Sequence, residues 1–174
     1  DHTEHYNMIK IYDDLLPDPK FILRSLLSPR FNWKFGGSLV PPEELLCDEL
    51  DNYQLANLMY DNMVKQNDEF DIVREIIHHK DLNIAALIRV KANLNTRTSS
   101  IITHGFHVDF KFPCTTAIYY ANTCNGYTEF EDGTKIESIA NRMVTFPSSF
   151  RHSSTTCTDQ KARLVINFNY FTKI

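Results

Sequence analysis

Two residue types that bind transition metals stand two positions apart in His104-Gly105-Phe106-His107-Val108-Asp109-Phe110. In an extended strand, side chains two apart leave from the same face, so His107 and Asp109 point together. An imidazole and a carboxylate aimed at one point form half of a metal site. The third ligand must come from far along the chain, and His152 in Ser149-Phe150-Arg151-His152-Ser153-Ser154 is the candidate. Two imidazoles and one carboxylate on one side of an ion leave its opposite side open. That arrangement suits Fe(II) and the activation of dioxygen. A lone H-x-D also occurs in ordinary turns, so the elements around it must decide.

A site of this kind needs a rigid frame, and the second half of the chain supplies one. From residue 84 onward the apolar pattern has a period of two. Ile88, Val90, Ala92 and Leu94 form one face of a strand, while Arg89, Lys91 and Asn93 form the other. Thr115 to Tyr120, Thr128 to Phe130, Arg142 to Phe146 and Leu164 to Phe171 read as further strands. Asn125-Gly126 and Asp132-Gly133 are the strongest turn signals between them.

The first third reads differently. Met8 to Tyr12 alternates as a first strand, and Asp18-Pro19 looks like a cap followed by proline at the first helical position. Phe21, Ile22, Leu26 and Leu27 would be that helix's apolar face, with Ser28-Pro29 as its stop. Phe31, Trp33 and Phe35 alternate as a strand ending at Gly36-Gly37. Tyr53 to Tyr60 fits a strand or a buried helix, and the turn signal Asp61-Asn62 favours the strand. Asn67 or Asp68 can cap a second helix with Phe70, Val73, Ile76 and Ile77 as its buried stripe. His78 and His79 close that helix as capping or surface residues, where an imidazolium suits the dipole. The expected fold class is α+β, mainly β: a jelly roll backed by N-terminal helices. One domain spans 1–174, with helical support over about 1–83 and the jelly-roll core over about 84–174.

The last strand adds a second chemical feature. Leu164, Ile166, Phe168 and Tyr170 share the face expected to pack on the helices. Arg163, Val165, Asn167 and Asn169 share the face that looks into the roll. An inward arginine is costly unless an anion meets it. Arg163 therefore pairs with a protein carboxylate, reaches solvent at the strand end, or receives the carboxylate of a cosubstrate through two parallel hydrogen bonds.

Composition sets the outer bounds. The 174 residues are 43% hydrophobic and 23% charged, which suits one globular domain with a real core. A net charge of -4 gives no global attraction to phosphates, so nucleic acid is a disfavoured partner, while Arg89, Lys91 and Arg97 could line a local groove for an acidic or phosphorylated ligand. No apolar run approaches membrane-spanning length, and no secretory h-region opens the chain. The first residue is Asp1, which points to a trimmed or engineered N-terminus. Cys47, Cys114, Cys124 and Cys157 show no C-x-x-C spacing and read as buried free thiols of a reducing cytoplasm, with a disulfide as the lesser reading.

Taken together, the ordered set His107-x-Asp109, Ile118-Tyr119-Tyr120-Ala121-Asn122, Gly126-Tyr127-Thr128-Glu129-Phe130, Asn141-Arg142-Met143-Val144-Thr145-Phe146, His152 and Arg163 resembles the 2-oxoglutarate- and Fe(II)-dependent oxygenases. Within them the chain looks most like the prolyl-4-hydroxylase branch and its small phage and bacterial members. The resemblance covers roughly Leu87 to Phe171. It implies a double-stranded β-helix, iron ligands at His107, Asp109 and His152, and Arg163 on the distal carboxylate of 2-oxoglutarate. It implies a hydroxyl from Tyr120 on that same carboxylate, with Tyr119 facing the core.

Three departures accompany the resemblance. Asn125-Gly126-Tyr127 stands where paired glycines are common in the family. Asn93-Leu94-Asn95 stands where related hydroxylases place a cosubstrate tyrosine, so Asn93 or Asn95 would substitute for it. The spacing from His152 to Arg163 is long, which makes Lys161 a rival for the carboxylate. The stretch from Asn95 to Thr103 reads either as a lid or as a plain surface loop.

The resemblance implies an oxidoreductase that hydroxylates a C–H bond, most simply of a prolyl or other peptidyl residue, with release of succinate and CO2. The implied partners are 2-oxoglutarate, O2 and a peptide or protein. The location is cytoplasmic, in the host if the chain is phage-encoded. Two other readings are a cupin-like metal-binding module and a nucleobase demethylase of the same superfamily. The latter carries a second arginine on the last strand, where this chain has Asn167 and Asn169.

Overall fold

The period-two pattern becomes eleven strands among the described residues, Met8 to Ile174 of a computed structural model. They are β1 (Lys10–Tyr12), β2 (Lys34–Gly36), β3 (Gln54–Asp61), β4 (Val64–Lys65), β5 (Ile84–Thr96) and β6 (Thr115–Tyr120). The rest are β7 (Tyr127–Phe130), β8 (Lys135–Glu137), β9 (Arg142–Pro147), β10 (His152–Ser154) and β11 (Ala162–Thr172). One sheet has the order β1-β9-β6-β11-β5-β3-β2, with β4 paired to β3. A smaller sheet has the order β10-β7-β8. All pairings are antiparallel, and the two sheets make the jelly roll expected from the strand pattern. None of the helices among the described residues is long and apolar enough to cross a membrane.

The strand β11 lies between β6 and β5 and separates two cores. Leu164, Ile166, Phe168 and Tyr170 pack with Tyr119, Val90 and Ala92 and with the helical segments on the outer face. Val165 packs with Ile118, Tyr120, Phe130, Val144 and Phe146 between the sheets. The alternation read from the last strand therefore describes both faces correctly. On β5 it slips by one residue near the start. A bulge opposite Asn169 and Tyr170 pairs Tyr170 with Leu87, so Leu87 takes the core position expected for Ile88.

The helical support is slighter than expected. Helix α1 (Lys20–Leu26) has two turns and buries Ile22 and Leu26, while Phe21 and Leu27 are exposed. A seven-residue helix has room for one i, i+4 pair on its inner face, which is why the outer two residues are left in solvent. Pro19 occupies the N-cap position, and no side chain caps the helix there, so the Asp18 cap is not made. The second helix is a 3-10 segment, Asp68–Val73, running into the single turn α2 (Arg74–Ile77). Asn67 does not cap it; its amide donates instead to Asn57 Oδ1 and Leu58 O on β3. Val73 and Ile76 are buried as expected, with Phe70 and Ile77 packed beside them. Residues before 84 also extend the large sheet, with β1 on one edge and β2 to β4 on the other.

Two turn signals have different fates. Asp132-Gly133 joins β7 to β8, and Gly133 adopts φ +89°, a conformation that favours glycine. Asn125 is tied to the loop before β11 instead, through Thr158 and Asp159.

Candidate metal centre

The backbone amides of His107 and His152 each donate to the other's carbonyl, at 3.0 Å in both directions. This isolated bridge sets His107, which lies outside the named strands, directly beside His152 at the start of β10, although the two are 45 positions apart in sequence. Their ring centroids lie 4.8 Å apart. Asp109 completes the cluster: its Oδ1 is 3.5 Å from His107 Nε2 and 3.8 Å from His152 Nε2. The three ligand atoms lie within 4.8 Å of one another.

Hydrogen bonds set which ring nitrogen faces the centre. His107 Nδ1 is 3.3 Å from the carbonyl of Gly105, and His152 Nδ1 is 3.1 Å from that of Phe150. A carbonyl only accepts, so both Nδ1 atoms carry the proton and both Nε2 lone pairs point inward. His152 Nε2 is buried and has no hydrogen-bond partner. A native protein rarely orphans such an atom without a ligand for it. Burial also pushes the His152 imidazole down in pKa, which favours the neutral form that a metal requires.

The carboxylate is oriented from the other side. Asn169 Nδ2 donates to Asp109 Oδ2 at 3.1 Å, and Arg89 stands 3.5 Å from the same oxygen. Oδ1 is left to face the histidines. Burial raises the Asp109 carboxyl, but the surrounding His107, His152 and Arg89 together outweigh it. The group is held well below the usual carboxylate range and is an anion at neutral pH. Two imidazole lone pairs and one carboxylate oxygen on one side of a point fit a divalent transition metal, Fe(II) among them.

The cluster opens onto a cavity of about 200 Å³ whose walls include Lys91, Asn93, Thr128, Ser154, Arg163 and Asn167. Arg163 is 1% exposed. Its guanidinium donates to Ser138 Oγ at 2.7 Å, Ser154 Oγ at 2.8 Å and Thr128 Oγ1 at 3.3 Å. None of these partners is an anion. Gly126 makes room for the side chain, since a Cβ there would collide with Arg163 Cδ and Thr156 O. That contact is the physical reason for glycine in Asn125-Gly126-Tyr127. The rival Lys161 is exposed and lies outside the cavity walls.

The other sequence candidates are placed unequally. Asn93 is buried on the cavity wall, and its Oδ1 has no partner. Asn95 is buried but does not line the cavity. Tyr120 stands one residue behind the wall: its hydroxyl donates to Thr128 Oγ1 at 2.7 Å, and its ring lies 5.6 Å from the Arg163 guanidinium. It reaches the cavity through Thr128. Tyr119 faces the outer core, as expected.

The stretch after Asn95 is fastened down. Arg97 N donates to Lys161 O, Thr98 N to Cys157 O and Ile102 N to Thr156 Oγ1. These bonds run from its backbone amides, so it reads as an anchored loop. The segment between β2 and β3 covers the site instead. Leu39 reaches the cavity wall and Leu46 N bonds to His104 O. Gly105, at φ +152°, lets Glu44 approach its backbone closely.

The Asn169–Asp109–Arg89 clamp and the hydroxyl cradle of Arg163 are not legible in the sequence, while Arg89 and Lys91 line the cavity together and Arg97 does not. Strand parity already put Asn169 with Arg163, and Arg89 with Lys91. It could not say which of them meets Asp109.

No family model matches the chain, and no curated protein matches it in sequence. Solved structures do. A prolyl hydroxylase from Trichoplax adhaerens, in complex with a hypoxia inducible factor oxygen degradation domain peptide fragment, aligns with a TM-score of 0.69 and 16% identity, over 98% of this chain and 86% of that one. A prolyl-4-hydroxylase from Pseudomonas putida aligns with a TM-score of 0.58 and 13% identity, over 94% and 92%. An oxidoreductase of the 2OG-Fe(II) oxygenase family from Burkholderia pseudomallei aligns with a TM-score of 0.65 and 10% identity, over 95% and 86%. At such identities the likeness is one of backbone. The chain has the jelly-roll fold seen in 2-oxoglutarate- and Fe(II)-dependent oxygenases, prolyl hydroxylases among them.

Proposed function

We propose that this chain is an Fe(II)- and 2-oxoglutarate-dependent dioxygenase that hydroxylates a C–H bond of a peptidyl residue, with proline the first candidate. The observation that carries the reading is one shared cavity. It holds an imidazole–carboxylate–imidazole face and a fully buried guanidinium bonded only to neutral groups. A guanidinium so placed lacks negative charge, and a carboxylate entering the cavity supplies it.

In this reading His107, Asp109 and His152 hold Fe(II) from one side, and Asn169 with Arg89 keeps the carboxylate turned toward it. Fe(II) bound there supplies dioxygen activation coupled to decarboxylation of 2-oxoglutarate to succinate and CO2. Arg163 receives the distal carboxylate, while Ser138, Ser154 and Thr128 fix the plane of the guanidinium. Leu39, from the covering segment, closes part of the wall against water.

A peptide substrate has two supports. The Trichoplax adhaerens structure holds a peptide fragment. In this chain Phe110, Phe112 and Phe171 form a row, with centroids 4.9 and 6.1 Å apart, that starts beside Asp109 and ends exposed. Such a row suits the side chains of an extended peptide. Asn169 serves Asp109, so the last strand offers no second arginine for a nucleobase.

The test incubates purified, iron-loaded protein with 2-oxoglutarate and panels of proline-containing peptides, free amino acids and alkylated oligonucleotides. Succinate release with an added oxygen on a peptide is expected. Turnover only with a nucleotide or a free small molecule overturns the peptide reading, and no succinate under any condition overturns the oxygenase reading.

A further inference from the structure

The cavity wall carries three cations, Arg89, Lys91 and Arg163, against one carboxylate, Asp109. Arg89 stands on Asp109. Two cations remain without an anion among the described residues, and a bound divalent metal would enlarge the excess. The inward faces of β5 and β11 place them in order. Arg163 pairs with Asn95, Val165 with Asn93, Asn167 with Lys91, and Asn169 with Arg89. Lys91 is therefore one inward step from the clamp on Asp109 and two from Arg163, about 13 Å along the sheet at the backbone.

We infer that Lys91 is the second anchor of the cosubstrate: its ammonium holds the carboxylate beside the keto carbon, at the metal end, while Arg163 holds the distal one. The inference rests on the oxygenase reading above. A dicarboxylate matches the two unpaired cations one for one. Lys91 has a stake in that match, because burial and the Arg89 charge both lower its amine, with Asp109 opposing them. An incoming carboxylate restores what burial takes away. A neutral side chain would serve equally well if the metal alone held the keto end. Lysine on this wall adds a charge-assisted bond and a stricter demand for two carboxylates.

The test is calorimetric binding, without turnover, to Zn(II)-loaded and to metal-free protein. Three ligands separate the two ends: 2-oxoglutarate, 4-oxopentanoate (a methyl in place of the carboxylate beside the keto group) and 2-oxopentanoate (a methyl in place of the distal carboxylate). Lys91→Met should weaken 2-oxoglutarate about tenfold or more and leave 4-oxopentanoate unchanged. Arg163→Gln should show the crossed pattern, weakening 2-oxoglutarate and sparing 2-oxopentanoate. Lys91→Arg should recover part of the loss. Equal weakening of all three ligands by Lys91→Met would mean a structural role, and unchanged 2-oxoglutarate binding would mean that Lys91 serves something else; either overturns the inference alone. If the wild-type protein binds none of the three, the oxygenase reading falls and takes this one with it.

Discussion

Asn169 donates from Nδ2 to Oδ2 of Asp109 at 3.1 Å, and this bond decides which carboxylate oxygen faces the two histidines. The two residues lie 60 positions apart in the chain. Asn169 is itself held by Thr116, to which it donates at 3.1 Å. Partners of this kind tune metal sites nearly as strongly as the ligands do.

Asn169→Ala should therefore weaken divalent-metal binding by about 10- to 100-fold with the fold retained. A competition titration with a metal indicator, run beside far-ultraviolet circular dichroism, measures both. Unchanged affinity would mean that Arg89 alone orients Asp109.

Replacing His107, Asp109 or His152 by Ala should each abolish tight Fe(II) binding and leave the β-rich fold intact. The converging Nε2 and Oδ1 atoms are the reason. Full iron occupancy in His152→Ala, read by metal analysis of the purified protein, would rule out this ligand set.

Arg163→Ala should weaken 2-oxoglutarate binding by about 2 kcal/mol or more, since a buried carboxylate loses its charge-assisted partner. Metal binding should change little. Lys161→Ala should have almost no effect, because that side chain is exposed and off the cavity. The reverse result would exchange the two assignments.

Asn141 supports the frame at a distance from the site. Its side chain accepts from Leu16 N at 3.0 Å and donates to Leu16 O at 2.8 Å, and its backbone sits at φ +66°. Tyr119 adds a third bond to its Oδ1 at 3.1 Å. Asn141→Ala should cost about 2–4 kcal/mol in urea unfolding, with Asn141→Gly about 1 kcal/mol less damaging because glycine tolerates the left-handed backbone. Equal losses in the two variants would remove the backbone from the explanation.

Much of the candidate site is legible in the sequence. His107, Asp109 and His152 meet, and Arg163 points inward beside them. The helices were harder: Asp18 and Asn67 are good capping residues in isolation, yet neither caps. Asn67 finds Asn57 and the backbone of β3 instead, a competition that only the neighbouring strand creates. The threonine- and serine-rich stretch after Asn95 reads as a lid or a surface loop for the same reason. Its backbone amides, with the Arg97 and Thr98 side chains, bond to residues 156 to 161, which stand far off in sequence.

Strand parity is a local property, set by backbone geometry two residues at a time. By itself, then, the sequence determined the ligand types, the two faces of β11, and the grouping of Arg89 with Lys91 and of Arg163 with Asn169. Which inward residues touch depends on sheet order and register, and those follow from how all the strands bury their apolar faces together. Placing β11 between β6 and β5 set Asn169 on Asp109, left Arg163 without an anion, and put Lys91 between them. Only the tertiary structure could decide these, because burial is what turns a charge without a partner into a binding site.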